Sequence, residues 1–297
     1  MNKYAIEINN LTKYYKKTIG IENLNLSVEE GEIFGFIGPN GAGKSTTIRL
    51  LFNLIFPNSG SGSIFGYDIV KHSKEIKQIT GYLPAEVNYY YKMTVGELLE
   101  YSQKFYKIND RKKINELTEE LDINPKLKIR DLSLGNKKKV SLIQSILHSP
   151  KLLVLDEPTS ALDPLVQSKV FEIFKREHSS GSTIFFSSHV LSDVQKICSK
   201  VAIIQNGRII KVESIDTLRK KMFKKISIKL ENSDLDFNIN LTGISDFNRT
   251  INQINFMYNG DMNHLIAVLN QLNLDNLTIE EPTLEEIFFH YYTKETN

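Results

Sequence analysis

Gly38-Pro39-Asn40-Gly41-Ala42-Gly43-Lys44-Ser45 narrows the possible folds of this chain more than any other segment. Nearly continuous apolar sequence, Ile33 to Ile37, runs into it, and Thr47 to Ile55 behind it suits a helix closed by Pro57. A buried strand, a glycine loop and a helix in that order begin a parallel α/β unit. Glycines let successive backbone N–H groups turn inward around phosphate oxygens, and the helix N-terminus adds partial positive charge. The segment matches G-x-x-x-x-G-K-[ST] in full, which sets Lys44 to reach β- and γ-phosphates and the Ser45 hydroxyl to ligate Mg²⁺.

Leu152-Leu153-Val154-Leu155 ends in Asp156-Glu157. A carboxylate at the carboxyl end of a buried strand lies beside the phosphate loop in such sheets, so Asp156 is positioned to hold Mg²⁺ through water. Glu157, one residue on, is the candidate to orient or deprotonate the attacking water. His189 ends another apolar strand, Ile184–Phe186 with Ser187-Ser188, and is placed to donate to a γ-phosphate. The other histidines, His72, His148, His178, His264 and His290, are read as structural. Gly60–Gly66 fails the G-x-G-x-x-G spacing because Phe65 stands at the third glycine, so a turn and short strand are expected there.

Composition bounds the rest. A length of 297 residues allows one large domain or two smaller ones. The net charge of +2 provides no large basic field, and no nucleic-acid partner is expected. The single cysteine, Cys198, excludes an internal disulfide framework. Met1 to Asn10 has no continuous apolar core, so no signal peptide is expected, and no apolar run approaches the ~18 residues of a membrane span. The chain itself is expected to be a soluble, cytosolic protein.

Along the chain, Tyr4–Ile8 and the alternating Leu24, Leu26 and Val28 predict strands before a turn at Glu29–Gly31. Residues 86 to 150 are expected to be mostly helical, with a capping box at Thr94 and Glu97, a break at Asn124-Pro125 and Asp131, and helical spacing at Val140, Ile143 and Leu147. Lys137–Lys139 is expected to be a solvated helix face. Val201–Gln205 predicts a strand, and Asn206-Gly207 a hairpin leading to Arg208–Val212. The basic run Leu218–Lys225 reads as a solvated helix end. A second, small α+β domain follows, on the alternation of Leu235, Phe237, Ile239 and Leu241 and the helical spacing of Leu265, Val268, Leu269 and Leu272. A second capping box, Thr283 and Glu286, precedes the aromatic stretch Ile287–Tyr292.

Over roughly residues 4–215 the chain resembles the nucleotide-binding subunit of an ATP-binding cassette transporter. Leu132-Ser133-Leu134-Gly135-Asn136 stands where that family has its LSGGQ signature, 23 residues separate Ser133 from Asp156, and 33 separate Asp156 from His189. Ser160-Ala161-Leu162-Asp163 is similar to the family's D-loop, and Tyr15 falls at the aromatic position that stacks on adenine, with Tyr14 as an adjacent alternative. Two departures stand out. Leu134 and Asn136 replace glycine and glutamine of the signature, and Ala85, after Tyr82-Leu83-Pro84, replaces the Q-loop glutamine. Glu86 is next in line to assist Mg²⁺ or communicate with a membrane partner, or else is merely exposed.

The resemblance implies an α/β P-loop NTPase core (RecA-like) with an antiparallel β subdomain and an inserted helical subdomain at about 86–150, all within an ATP-binding domain of 1–220. A C-terminal accessory α+β domain, 221–297, completes the chain. It implies ATP and Mg²⁺, with nucleotide on Tyr15, Gly38, Pro39, Asn40, Gly41, Ala42, Gly43, Lys44, Ser45 and Thr46 of one protomer and on Ser133 and Gly135 of a second, in a head-to-tail homodimer. Catalysis falls to Glu157 and His189, and the metal to Ser45, Asp156 and Glu86. A separate polytopic membrane subunit is implied, with this chain peripheral at the cytoplasmic face of the membrane. The Tyr89–Tyr91 cluster lies where the family docks that partner, and packing explains it equally well. Gly81–Val87 and Glu281–Tyr292 resemble exporters of antibiotics, bacteriocins or similar amphipathic compounds. The alternative is a cassette ATPase with no membrane partner. Chromosome-type cassettes insert a long coiled coil where Lys44 and Ser133 are only 89 residues apart, and ribosome-associated ones resemble two cassettes in one chain. A GTP switch would need an aspartate that Asn136–Lys139 lacks.

Overall fold

The computed structural model describes residues 3–87, 89, 92–220, 224–231, 241–270 and 272–280. The chain divides into two compact units, Met1–Ser214 and Ile215–Asn297.

The first unit begins β1 (Tyr4–Tyr15), β2 (Thr18–Glu29), β3 (Ile33–Ile37), α1 (Lys44–Leu51), β4 (Ser59–Ile64) and β5 (Tyr67–Asp68). It continues through α2 (Ser73–Ile79), β6 (Thr80–Leu83), α3 (Val95–Phe105), α4 (Arg111–Glu120), a 3₁₀ turn (Ile129–Asp131) and α5 (Leu134–Ile146). It closes with β7 (Leu152–Asp156), α6 (Pro164–Ser179), β8 (Thr183–Ser188), α7 (Leu191–Ile197), β9 (Lys200–Gln205) and β10 (Arg208–Ser214).

Two sheets form. The antiparallel one has the order β2-β1-β4-β5, and the larger one runs β10-β9-β3-β8-β7-β6. Neighbours from β9 through to β6 are parallel, and β10 adds antiparallel through the Asn206-Gly207 turn, both residues of which have positive φ as a tight hairpin requires. Every residue of β3, β7 and β8 is buried, which explains the apolar runs Ile33–Ile37, Leu152–Leu155 and Ile184–Phe186 within them. Phe185 packs its ring 5.3 Å from Phe36, while the next residue, Phe186, points to the other face and meets Phe171 and Phe174 of α6. Each such aromatic contributes about 1.5–3 kcal/mol by leaving water.

β1 extends well beyond the expected Tyr4–Ile8. Irregular pairing at Ile8/Leu11 and Leu11/Lys13, with Asn10 at φ 50°, shifts the register and hides the alternation of its second half. α1 begins at Lys44, ahead of the expected Thr47, because Gly43 forms its N-cap. It stops at Leu51, where Asn53 turns left-handed. The Thr94–Glu97 capping box forms with both reciprocal bonds, opening α3.

The second unit holds α8 (Ile215–Lys220), β11 (Lys224–Leu230), β12 (Ile244–Arg249), β13 (Gln253–Tyr258), α9 (Met262–Leu269) and β14 (Leu274–Glu280). Its antiparallel sheet has the order β12-β13-β11-β14, and Leu265 and Leu269 of α9 are buried with Ile226, Ile228 and Phe256. Of the four apolar residues expected on one helix, Leu272 lies beyond the end of α9. The basic run is not one helix end: α8 spans Ile215–Lys220, and Lys224 and Lys225 already lie in β11. Leu235, Phe237, Ile239, Thr283, Glu286 and Ile287–Tyr292 lie outside the described residues. Among the described residues no helix is long and apolar enough to cross a membrane.

Candidate active site

The site grows from the carboxyl ends of β3, β7 and β8, which are neighbours in the large sheet. After β3 the chain cannot carry a side chain at Gly38, where a Cβ would lie 2.3 Å from the Ile204 carbonyl oxygen. Gly43 has φ +111°, and a Cβ there would lie 2.7 Å from the carbonyl oxygen of Gly20. The loop is tied to the β9–β10 turn, where the Gly207 amide donates to the Ala42 carbonyl at 2.9 Å. Lys44 is buried, and its Nζ donates to the carbonyls of Gly38 (2.6 Å) and Pro39 (3.2 Å). The first turn of α1 carries no acidic side chain, so nothing in the helix competes with an anion for its free N–H groups.

Asp156 ends β7 and is buried. Its Oδ2 accepts from Ser45 Oγ at 3.0 Å and its Oδ1 from Ser187 Oγ at 3.2 Å. Burial raises its carboxyl pKa, and the two serine hydroxyls oppose that rise. Glu157 then takes φ 49°, a left-handed step costing a non-glycine residue about 1–2 kcal/mol. Its Oε2 pairs with His189 Nδ1 at 2.8 Å, and its buried Oε1 has no hydrogen-bond partner, with Lys44 Nζ 3.5 Å away. A carboxylate only accepts, so His189 Nδ1 carries the hydrogen, and the ring can also donate from Nε2 only as the imidazolium.

A cavity of about 370 Å³ opens over these groups, lined by residues including Tyr15, Gly20, Lys44, Ser45, Ala85 and Glu157. Tyr15 and Tyr14 separate here. The Tyr14 hydroxyl is engaged by Glu22 at 2.6 Å, whereas Tyr15 borders the cavity over Gly20, where a Cβ would come 2.9 Å from the ring. Pro39, Asn40, Gly41, Gly43 and Thr46 also line it. Gly38 and Ala42 are the loop's internal fastenings, through the Lys44 and Gly207 bonds.

Glu86 does not join this group. It is exposed, and Ala85 is the residue of that loop that lines the cavity, so the structure does not bring Glu86 to the Ser45–Asp156 pair. Ser133 and Gly135 are also absent from the lining. Ser133 caps α5, accepting from the Asn136 amide at 3.2 Å, and Gly135 lies so close to Ala161 that a Cβ would meet its carbonyl oxygen at 2.7 Å.

Lys137–Lys139 is not a solvated face. Lys138 is 3% exposed, and its Nζ donates to the carbonyls of Pro84 (2.9 Å), Ala85 (3.1 Å) and Asp156 (3.3 Å). Burial pulls its pKa down to about 8 against the opposing charges of Asp156 and Glu157. Its partners are main-chain oxygens, which leave no mark in a sequence. Asp193 was likewise missed: buried in α7, it accepts from the Thr159 hydroxyl at 2.6 Å, fastening the loop after Glu157 to the helix after His189. An acid four residues after His189 was the only available signal.

The fold and this constellation define a P-loop α/β nucleotide hydrolase. The family model described as ABC transporter matches residues 21–160. The chain is 32% identical over 301 residues to the bacitracin transport ATP-binding protein BcrA of Bacillus licheniformis, covering 95% of each chain. It is 28% identical over 302 residues to the linearmycin resistance ATP-binding protein LnrL of Bacillus subtilis, covering 96% of this chain and 97% of that one. A solved ATP-binding subunit of an ABC transporter superposes with a TM-score of 0.68 at 28% identity, covering 73% of this chain and 92% of that one. The chain belongs to the ABC transporter family as an ATP-binding, ATP-hydrolysing subunit.

Proposed function

We propose that this subunit hydrolyses ATP in the cavity above β3, β7 and β8 to power export of an antibiotic, peptide or other amphipathic compound through a separate membrane subunit. The observation that carries the reading is the placement of Glu157. Its carboxylate lies on the cavity wall between the Lys44 ammonium and the His189 imidazole, beside the Ser45–Asp156 pair. Lys44 is the cation for the β- and γ-phosphates, and displacing its loop carbonyls frees its donors for them. Glu157 has one oxygen held by His189 and a second without a hydrogen bond, paired with the Lys44 ammonium at 3.5 Å, that can take a proton from water once Lys44 turns to the phosphates. Tyr15 offers its face to the base.

Among the described residues no three His, Cys, Asp or Glu side chains gather into a self-sufficient metal cage. The donor set fits Mg²⁺ nonetheless, because that ion keeps most of its water and phosphate ligands and asks the protein for few oxygens. Ser45 and Asp156, already bonded to one another, would hold it, and it would neutralise charge building on the phosphate oxygens.

Ser133 and Gly135 lie outside their own protomer's cavity, which supports a head-to-tail homodimer in which each signature segment covers the partner's nucleotide. The membrane subunit has a natural seat in a second cavity of about 550 Å³, lined by aromatics that include Tyr82, Tyr89, Tyr101 and Phe105. Phe105 is 67% exposed, and Tyr89 donates to the Lys137 carbonyl at 3.2 Å. Tyr90 and Tyr91 lie outside the described residues. The cytoplasmic, membrane-peripheral placement follows from that partnership, and the cargo class from the BcrA and LnrL relatives.

Glu157→Gln tests the reading. It should keep binding a labelled ATP analogue while turnover falls by about 10²–10⁴-fold. Steady-state hydrolysis near the wild-type rate would remove Glu157 from the role of base.

A further inference from the structure

We infer that Lys138 is a positioning residue for hydrolysis: its buried ammonium clamps the Pro84-Ala85 loop and the carboxyl end of β7 to α5, and so sets the place of the Asp156-Glu157 pair. Three carbonyl oxygens from two separate chain segments converge on one Nζ, which uses all three ammonium donors. One of them belongs to Asp156, whose carboxylate holds Ser45, and another to Ala85, which lines the nucleotide cavity. No other described side chain donates to these three oxygens, and Ala85 has no polar group of its own with which to fix the loop.

The helix that carries Lys138 is the one capped by Ser133. One buried charge thus connects the segment offered to a partner's nucleotide with the frame of the protomer's own site. A compact ammonium suits three converging oxygens. A planar guanidinium, larger and built for paired oxygens in one plane, does not.

The inference rests on the roles given above to Asp156 and Glu157, and the experiment separates the two. Lys138→Met keeps the apolar stem and deletes the donors. In the purified full chain its affinity for a labelled, non-hydrolysable ATP analogue should stay within about threefold of wild type while kcat falls about tenfold or more, as expected when reacting groups are misplaced but binding groups are not. Lys138→Gln, with two donors, should turn over faster than the methionine variant, and Lys138→Arg should not. A kcat for Lys138→Met within twofold of wild type, or an affinity loss matching the kcat loss, overturns the clamp. Should Lys138→Met fail to fold, the glutamine and arginine variants decide: glutamine faster supports the clamp, and equal turnover, or arginine faster, overturns it. Glu157→Gln reports on the site itself, so a failed clamp with an inactive Glu157→Gln leaves the hydrolytic reading standing.

Discussion

The loop after β3 and the loop after β6 flank the same cavity and are built by opposite devices. In the first, Gly38 to Ser45, glycines and a helix start aim amide hydrogens at an incoming anion, and the lysine belongs to the motif itself. In the second, Pro84 and Ala85 turn their carbonyls onto a cation that arrives from 53 and more residues along the chain. The first loop carries its lysine and its glycines in adjacent residues, although the β9–β10 turn also fastens it; the second depends for its cation wholly on what the fold carries to it. A lysine proposed to meet phosphate, here resting on carbonyls of its own loop, and a lysine that clamps carbonyls of two distant segments are chemically identical in sequence, and only their surroundings separate them.

Lys44→Ala should produce the largest effect and is the direct way to break this contrast. Removing the Lys44 ammonium, buried within the phosphate loop, should lower affinity for a labelled ATP analogue by about 100-fold or more, near 3 kcal/mol for lost charge-assisted bonds. Wild-type affinity in equilibrium binding would mean that the two lysines do not divide the work as described.

Next come the glycines. Gly43→Ala combines a left-handed φ of +111° with a Cβ 2.7 Å from the Gly20 carbonyl oxygen, whereas Gly41→Ala, at φ +80°, meets nothing within 4 Å. The second should cost only the backbone term, about 1–2 kcal/mol, and the first distinctly more, because two main-chain segments must also move apart. Urea midpoints of the two variants measure the difference. Equal losses would show that the loop yields where the packing says it cannot.

These cases also mark what was legible beforehand. β3, β7 and β8 are readable because a strand buried on both faces carries a run of apolar residues, and Asp156, Glu157 and His189 because each stands at the end of such a run or close behind it. The second half of β1 is not, since its bulges break the period that sequence reading relies on. Lys138 is not legible in the sequence, because charge next to charge ordinarily means solvent and nothing local reveals that three carbonyls will meet it. Glu86 shows the converse: of the readings a carboxylate beside a motif position leaves open, exposure is the one the structure shows, and the neighbouring Ala85 lines the cavity.

His148, also first read only as structural, stands just past the far end of α5 and makes the smallest and sharpest test of how that helix grips β6. Its Nε2 lies 3.1 Å from the Thr80 carbonyl oxygen, at the start of the strand whose exit Lys138 holds, and its ring stacks 3.7 Å from Tyr106. Burial draws its pKa down from 6.5 to about 4, with the Thr80 carbonyl opposing and Lys113 reinforcing the shift. Between those two values the unfolded chain binds a proton that the folded chain refuses. Stability therefore falls as pH drops through the window, by at most about 1.4 kcal/mol per pH unit, and this contribution is fully present above 6.5. His148→Phe keeps a ring against Tyr106 and removes the titrating group. Urea unfolding at pH 7, 5.5 and 4.5 should show the wild type losing stability more steeply than the variant. Parallel losses would mean that the imidazole is protonated in the folded state, with water reaching the ring while its Nε2–H still donates to the Thr80 carbonyl.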